Sequence, residues 1–387
     1  MTAPRTLIHS VRAISDGVVT EDAWLLFDDG RIRERGTGTG WTTATDRGSS
    51  PAEIVDAEGM TLTPGFVDLH CHGGAGIDVS APGADLRAAL APHRAAGTTR
   101  SVVSLATAPV EDLLARLREL RHAVAADPLV LGVHLEGPFL SAERSGAHAA
   151  TLLRDPEPAL VEALLTAGGD ALLQVTVAPE LPGALDAIRL LHGRGVVAAV
   201  GHTAATGERT AAAIAAGARL VTHALNAMAP IAAREPGPVG AALADDRVVL
   251  ELIGDGTHLH DDTARLLIAA GRGRIAFVSD ALAATGAEDG GYRLAGVPYR
   301  VERGVARLAD GTLAGATDTL DVALRRAVSE LGMSLVDAVD ALTVVPARVL
   351  GVDGSVGALT PGLAADAVLL NAELGVRGVW ADGTRLR

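Results

Sequence analysis

The residues best suited to chemistry lie in the stretch GFVDLHCHGG, residues 65–74, where two histidines flank the single cysteine of the chain. In an extended strand alternate side chains share a face, so His70 and His72 point one way and Cys71 the other. Two imidazoles on one face at a strand end suit a metal ion. The alternative is that both are polar residues that close a strand with local hydrogen bonds, and the spacing alone leaves this open.

Several other apolar runs end in a histidine or a carboxylate, the ligand types that suit Zn²⁺ first and Fe²⁺ or Mn²⁺ as alternatives. The residues are Glu136, His202, His223, His258 and Asp280. Glu136, His202 and His223 can form a three-ligand site that leaves one position for water. His70 and His72 then complete that site or build a second one that shares Glu136 as a bridge. We therefore expect one or two divalent ions.

Two further residues are candidates for the catalytic chemistry. A carboxylate beside a metal-bound water can take its proton and return it to a leaving amine, and Asp280 in FVSDA is the candidate for this general base. His148 lies near the end of the loop HLEGPFLSAERSGAHAA, residues 134–150, and can reach a reacting carbonyl as an oxyanion donor. The alternatives are a strand-end aspartate that caps a turn and a solvated loop histidine.

The stretch THALNAMAPIAAREPGPVG, residues 222–240, contains Asn226 and Arg234 in a loop rich in glycine and proline. An arginine in such a loop of an acidic protein is a candidate anion clamp, and His258 in DGTHLH lies at the next predicted strand end. Arg234 could instead pair with Glu235.

The elements that must position these residues are short apolar runs that alternate with helical patterns. Eight such runs occur, at 65–70, 99–106, 129–135, 172–178, 196–201, 219–224, 248–254 and 275–280. Eight consecutive strand and helix units predict an α/β chain with a (β/α)8 TIM-like barrel, whose active site lies at the carboxyl ends of the strands. The candidate residues fall at those ends, which favours a metal site over scattered polar residues.

Both ends of the chain are typical of short strands separated by Gly, Pro and Asp-Gly turns. We expect residues 1–63 and 346–387 to pair into a small β-sandwich domain. The barrel then spans 64–345, with a hairpin-like insertion near 290–315.

Composition excludes several classes of function. The formal net charge of −14 argues against nucleic-acid partners and against an anionic membrane surface. With one cysteine and no continuous apolar segment in MTAPRTLIHSVRAISDG, a cytoplasmic enzyme is expected. All 33 basic residues are arginine. The chain therefore lacks the carboxylated lysine with which dihydroorotase- and hydantoinase-like enzymes bridge two metal ions.

The motifs TPGFVDLHCHGG, HLEGPFL with GAH, GHTAA, THALNAM with REPG, DGTH, SDA and GALTPGLAADAVLL occur in this order along nearly the whole chain. In this combination the chain resembles the N-acetylglucosamine-6-phosphate deacetylases of the amidohydrolase superfamily. The resemblance implies metal-dependent hydrolysis of an acetamide to acetate and glucosamine 6-phosphate in a homodimer.

The resemblance also implies roles for individual residues. Glu136, His202 and His223 would bind the metal, Asp280 would act as general base and then acid, and His148 would lie near the acetyl carbonyl. The sugar phosphate would be held by Asn226, the backbone N–H of Ala227, His258 and Arg234, the last reaching across the dimer interface.

Some positions depart from the family pattern. The pair His70 and His72, which some members lack, leaves the number of ions open, and Ser145 stands where lysine is common. Leu225 replaces a usual aromatic residue. The galacto epimer of the substrate, N-acetylgalactosamine 6-phosphate, remains a close alternative. A barrel retained only as a scaffold would lack ligand residues, and none is missing here.

Overall fold

The computed structural model describes residues 3–45 and 50–387, with side chains described outside 44–49. The chain divides into two compact units. One unit holds the residues up to Val67 together with His93–Arg100 and Leu320–Arg387, and the other holds Asp68–Pro92 and Ser101–Thr319. Among the helices of the described residues, none has the length and apolar character needed to cross a bilayer.

The N-terminal segment forms antiparallel strands joined by tight turns. Asp29 and Gly30 connect the second and third strands with φ values of 48° and 75°. Positive φ at both positions is the requirement of a type I′ hairpin, so an Asp-Gly turn of the kind expected near the chain ends is present here. The elements here are β1 (Thr6–Ser15), β2 (Val18–Asp28), β3 (Arg31–Thr37), α1 (Trp41–Thr45), β4 (Glu53–Asp56) and β5 (Thr61–Pro64).

All eight apolar runs of the predicted barrel are strands, and they form one parallel sheet in the order β15-β14-β13-β12-β11-β10-β9-β6 among the described residues. A two-stranded ribbon, β7 and β8, follows the first of them. The bounds are β6 (Phe66–Cys71), β7 (Gly73–Gly74), β8 (Ile77–Asp78), β9 (Thr98–Ala106), β10 (Val130–Glu136), β11 (Leu172–Val177), β12 (Val197–Val200), β13 (Leu220–Val221), β14 (Val249–Ile253) and β15 (Ile275–Val278).

The ends of this sheet meet at the candidate site. The backbone N–H of Asp280 donates to the carbonyl of His70 at 2.9 Å, and the N–H of His72 donates to the carbonyl of Ala281 at 2.8 Å. These bonds bring the end of β6 beside the residues that follow β15. The result is the nearly closed (β/α)8 barrel predicted from the sequence.

Helices alternate with the barrel strands because their apolar residues recur at helical spacing. In α4 the buried residues Leu113, Leu117 and Leu120 form one stripe, and Glu111 and Asp112 occupy the first turn, where they complement the helix dipole. The helices are α2 (Leu86–Ala89), α3 (Ala91–Ala95), α4 (Val110–Ala126), α5 (Pro158–Gly168), α6 (Ala184–Gly193), α7 (Gly207–Ala216), α8 (Gly237–Leu243), α9 (Asp261–Ala270), α10 (Leu320–Ser329), α11 (Leu335–Leu342) and α12 (Val344–Val349).

The insertion after β15 occupies the stretch 290–315 that was expected to be hairpin-like, and it has two strands more than a single hairpin. It is a four-stranded antiparallel sheet of β16 (Gly291–Leu294), β17 (Val297–Glu302), β18 (Val305–Arg307) and β19 (Leu313–Gly315). Leu294, Tyr299 and Val301 pack with Leu282, which lies just beyond β15. This contact fixes the insertion beside the rim of the barrel.

The C-terminal strands join the N-terminal ones in a single sheet, ordered β22-β21-β20-β5-β1-β2-β3 with β4 on β1. They are β20 (Ala367–Leu370), β21 (Val376–Ala381) and β22 (Thr384–Arg385). The small β domain predicted from both termini is therefore present. Its C-terminal strands begin at Ala367, within the segment 346–387 expected to contribute to it.

A buried ion pair stabilises the unit that contains this sheet. The Arg100 guanidinium donates to both oxygens of Asp366, at 2.6 and 2.9 Å, and to Asp382 at 2.6 Å. The side chains of Arg100 and Asp366 are 5% and 3% exposed, whereas that of Asp382 is 39% exposed. Removing the arginine would leave the Asp366 carboxylate buried without its cation.

We expect Arg100→Met to lower the free energy of unfolding by about 3–5 kcal/mol, the usual cost of breaking a buried pair by removing one partner. Urea unfolding followed by circular dichroism measures the change. Asp382→Asn is the control, with an expected loss below about 1 kcal/mol because the side chain is partly hydrated. Equal losses in the two variants would contradict this interpretation.

Candidate active site

The carboxylate of Glu136, at the end of β10, lies among histidines from three other strand ends. Its Oε1 is 3.1 Å from Nε2 of His202 and 2.8 Å from Nε2 of His223. Its Oε2 is 3.0 Å from Nε2 of His72 and 3.4 Å from Nε2 of His70. All five side chains are buried. The structure thus brings the five sequence-predicted ligands together around one carboxylate, with two histidines at each oxygen.

Strand ends place these side chains through an uncommon backbone conformation. His202, His223 and Asp280 have φ values of 45°, 29° and 46°, in the left-handed region that non-glycine residues seldom adopt. Strain of this kind persists where surrounding structure enforces it, and it concentrates at functional sites. The turn brings Oδ1 of Asp280 to 3.4 Å from Nε2 of His70 and 3.5 Å from Nε2 of His72.

Hydrogen bonds on the far side of the rings set which nitrogen carries the proton. Nδ1 of His202 lies 2.8 Å from the carbonyl of Arg144, and Nδ1 of His72 lies 3.1 Å from the carbonyl of Ser104. A carbonyl oxygen can only accept, so each Nδ1 carries its hydrogen. In the neutral ring Nε2 then presents a lone pair to the centre of the site.

The donor set fits a metal ion. Nε2 of His70 and Nε2 of His72 are 3.0 Å apart, and those of His202 and His223 are 3.1 Å apart. Two nitrogens at about 2.0–2.1 Å from one tetrahedral Zn²⁺ lie at roughly this separation. Lone pairs at this distance from one another and from a carboxylate repel, and a cation between them stabilises the arrangement.

His202 and His72, on opposite sides of Glu136, differ in their affinity for protons. Burial lowers the pKa of His202 and outweighs the hydrogen bond to Glu136, which raises it, so that the pKa is about 4. Burial also lowers the pKa of His72, but hydrogen bonds to Asp280 and Glu136 outweigh this and raise it to about 9. Burial raises the pKa of Glu136, yet His70 and His148 hold it well below its usual range. The site therefore keeps an ionised carboxylate at its centre.

His148 carries its ring hydrogen on the opposite nitrogen from His72 and His202. The backbone N–H of Thr107 donates to its Nδ1 at 3.2 Å, so Nδ1 carries the lone pair and Nε2 carries the hydrogen. That Nε2 lies 3.3 Å from Oε2 of Glu136. Distances alone group His148 with Glu136 and His202 as possible ligands. The tautomer instead makes it a hydrogen-bond donor that faces the centre of the site.

A cavity of about 520 Å³ opens onto these residues. Asn226, Ala227 and His258 line it, as do Asp310 and Thr312 of the insertion. Nδ1 of His258 lies 2.7 Å from Oδ2 of Asp255, which fixes the ring. These predicted substrate residues thus share one cavity with three of the predicted metal ligands, Glu136, His202 and His223.

Arg234 lies elsewhere. It is exposed, and it is not among the described residues that line the cavity. The sequence left open an ion pair between Arg234 and Glu235. In the structure Oε1 of Glu235 instead accepts the backbone N–H groups of Gly207 at 2.6 Å and Gly237 at 3.0 Å. Arg234 is thus presented to the outside of its own chain.

Sequence reasoning missed the residues that hold the rings. Ser104 and Arg144 act through backbone carbonyls, which leave no trace in side-chain type. Thr107 acts through its backbone N–H and also through its hydroxyl, which lies 3.0 Å from Nδ1 of His148. Glu251, whose Oε2 lies 3.3 Å from Nδ1 of His70, had a visible signal as the lone acid in the apolar run VVLELIG.

Comparison with known proteins agrees with this geometry. The model of the amidohydrolase family matches residues 61–386. The chain belongs to the amidohydrolase family. Amidohydrolases are metal-dependent, and this member has clusters of histidine and carboxylate side chains that can hold an ion. The family resemblance stated from the sequence is confirmed.

Individual relatives cover almost the entire amidohydrolase chain. It is 37% identical over 381 residues to an N-acetylgalactosamine-6-phosphate deacetylase of Escherichia coli O157:H7, covering 97% of this chain and 99% of the relative. It is 32% identical over 383 residues to an N-acetylglucosamine-6-phosphate deacetylase of Bacillus subtilis, covering 96% and 94%.

Among solved structures, a variant of N-acetyl-D-glucosamine-6-phosphate deacetylase from Mycobacterium smegmatis, in complex with N-acetyl-D-glucosamine-6-phosphate, superposes with a TM-score of 0.92. The two sequences are 40% identical, and the match covers 99% of each chain.

The tautomers predict different effects on metal binding. We expect His202→Asn to lose most of the ion bound at its side of Glu136, whereas His148→Asn keeps the wild-type metal content because Nε2 of His148 carries a hydrogen. Metal analysis of dialysed protein measures both. An equal loss of metal from the two variants would show that His148 is a ligand.

Proposed function

We propose that this amidohydrolase hydrolyses the acetamide of N-acetylglucosamine 6-phosphate to glucosamine 6-phosphate and acetate. The observation that carries the proposal is the arrangement of four imidazole Nε2 atoms around the two oxygens of Glu136, with Asp280 beside them. The Bacillus subtilis relative and the Mycobacterium smegmatis complex support the substrate.

The proposed ion is Zn²⁺, held by Glu136, His202 and His223, with His70 and His72 as further ligands. When bound, such an ion lowers the pKa of a water molecule and polarises a carbonyl. Imidazole with carboxylate is the donor set that zinc prefers for catalysis, and Fe²⁺ and Mn²⁺ accept the same donors.

Asp280 and His148 divide the proton chemistry. The Asp280 carboxylate accepts a proton from the attacking water, and as the C–N bond breaks it gives that proton to the leaving amine nitrogen. The Nε2–H of His148 donates to the acetamide oxygen, where negative charge develops. Thr107 fixes the His148 ring in the tautomer that this donation requires.

The sugar phosphate occupies the cavity beside these groups. Asn226, the backbone N–H of Ala227 and His258 contact it from this chain, since all three residues line the cavity. Arg234 contacts the phosphate of the neighbouring site in a homodimer. Its outward position and the 49% exposure of Ile231 in the same loop support a subunit contact there. We place the enzyme in the cytoplasm, where its single thiol stays reduced.

N-acetylgalactosamine 6-phosphate is the second candidate substrate. The observation in its favour is the Escherichia coli relative, whose 37% identity exceeds the 32% of the Bacillus subtilis one. The two sugars differ in the configuration of one hydroxyl group.

We expect the metal-loaded enzyme to release acetate from N-acetylglucosamine 6-phosphate with a kcat/KM at least tenfold above that for the unphosphorylated sugar or the galacto epimer. Asp280→Asn should reduce kcat by about 10²–10⁴-fold, as expected for the loss of a general base. A coupled acetate assay measures these rates. Preference for the galacto epimer would establish the second candidate, and equal turnover without phosphate would contradict the phosphate contacts.

The role of Arg234 is tested by mixing two inactive variants, Arg234→Ala and Asp280→Asn, after dissociating and reassociating their subunits. If Arg234 serves the partner's site, one site in each mixed dimer has both residues intact. Activity should then return to roughly a quarter of the wild-type value, because about half of randomly paired dimers are mixed. Absence of recovery, with mixed dimers shown by native mass spectrometry, would place Arg234 in its own site.

A further inference from the structure

Glu251 is a carboxylate inside the barrel that the proposed reaction does not use. It lies in β14 between Leu250 and Leu252 and is 0% exposed. An ionised carboxylate is costly to bury unless hydrogen-bond donors satisfy it. Because burying a carboxylate in an otherwise apolar strand costs free energy, we expect a role of Glu251 other than packing.

Its hydrogen-bond partners connect it to the metal-binding residues. Oε2 lies 3.3 Å from Nδ1 of His70 and accepts the backbone N–H of His223 at 3.2 Å. Oε1 accepts from Nε2 of Gln174 at 3.0 Å. One carboxylate thus touches a histidine on each side of Glu136.

We propose that Glu251 is a positioning residue that makes His70 a metal ligand and so allows a second ion at His70 and His72. This inference rests on the proposed metal-dependent function. The carboxylate accepts from Nδ1 of His70, which leaves Nε2 to face Oε2 of Glu136 and Oδ1 of Asp280, both at 3.4 Å.

Comparison with the other rings shows what Glu251 adds. The Nδ1 atoms of His72 and His202 face neutral backbone carbonyls, while Nδ1 of His223 has no partner among the described residues. His70 alone of these four faces a carboxylate. A carboxylate behind an imidazole fixes its orientation and raises its basicity more than a carbonyl does, and such partners change metal affinity by 10- to 100-fold. Glu251 therefore strengthens the pair His70 and His72 specifically.

The test is the number and affinity of Co²⁺ ions bound by the full chain without substrate, measured by titration of the visible Co²⁺ absorption and by metal analysis. The wild type should bind two ions. Glu251→Met, which removes the acceptor at similar length, should weaken the second ion by about 10- to 100-fold and leave the first within threefold. Glu251→Gln keeps a neutral acceptor, so its affinity for the second ion should lie between those of the wild type and Glu251→Met.

The matched control is Thr176→Val, which removes a fully buried polar group of the same barrel interior. Its hydroxyl bonds His134 at 2.8 Å and Thr222 at 2.9 Å, and the control should retain both ions. If Glu251→Met does not melt cooperatively, Glu251→Gln carries the test. Wild-type affinity for both ions in a folded Glu251 variant would overturn the inference, as would a wild type that binds one ion and is unchanged by His70→Asn.

Failure of this inference is distinguishable from failure of the proposed function. Both ions retained in Glu251→Met, together with acetate release by the wild type, would reject the role of Glu251 alone. Loss of the second ion without turnover of either acetamido sugar phosphate by the wild type would support the role of Glu251 and reject the proposed substrate.

Discussion

The structure depends on one buried carboxylate that is shared by several strand ends. Glu136 places one oxygen beside His202 and His223 and the other beside His70 and His72. A buried carboxylate is stable only when charge or hydrogen-bond donors surround it. The barrel surrounds Glu136 with such donors because strands distant in sequence end at one rim. The same arrangement makes the rim suitable for a divalent cation.

At the rim of the barrel, the group that faces Nδ1 of each histidine determines which ring nitrogen carries the hydrogen. A carbonyl behind His72 or His202 fixes the hydrogen on Nδ1, and the N–H of Thr107 behind His148 fixes it on Nε2. The proposed function accordingly uses His72 and His202 as ligands and His148 as a hydrogen-bond donor. The carbonyl of Ser104 belongs to β9, whereas Thr107 and Arg144 lie in segments that follow strands. Backbone groups of both strands and rim loops therefore set the hydrogen positions on these rings.

The residues proposed to contact the substrate come from loops and from the insertion. Asn226, Ala227 and His258 line the cavity from barrel loops, and the four-stranded insertion adds Asp310 and Thr312. Arg234 lies outside this cavity. Under the proposed function, selection among sugar phosphates would depend on these peripheral segments, separately from the chemistry at Glu136.

The sequence by itself determined the eight strands, because apolar runs of strand length alternate with helical spacing, and it determined which residues lie at the strand ends. The pair His70 and His72 shared a face for the simple reason that side chains alternate along a strand. The tertiary structure alone decided the tautomers, since Nδ1 of His202 meets a carbonyl 58 residues away. It likewise decided the contact of Glu251 with His70, 181 residues away, and the four strands of the insertion. Backbone acceptors and long-range contacts depend on where the chain folds, and residue type does not encode them locally.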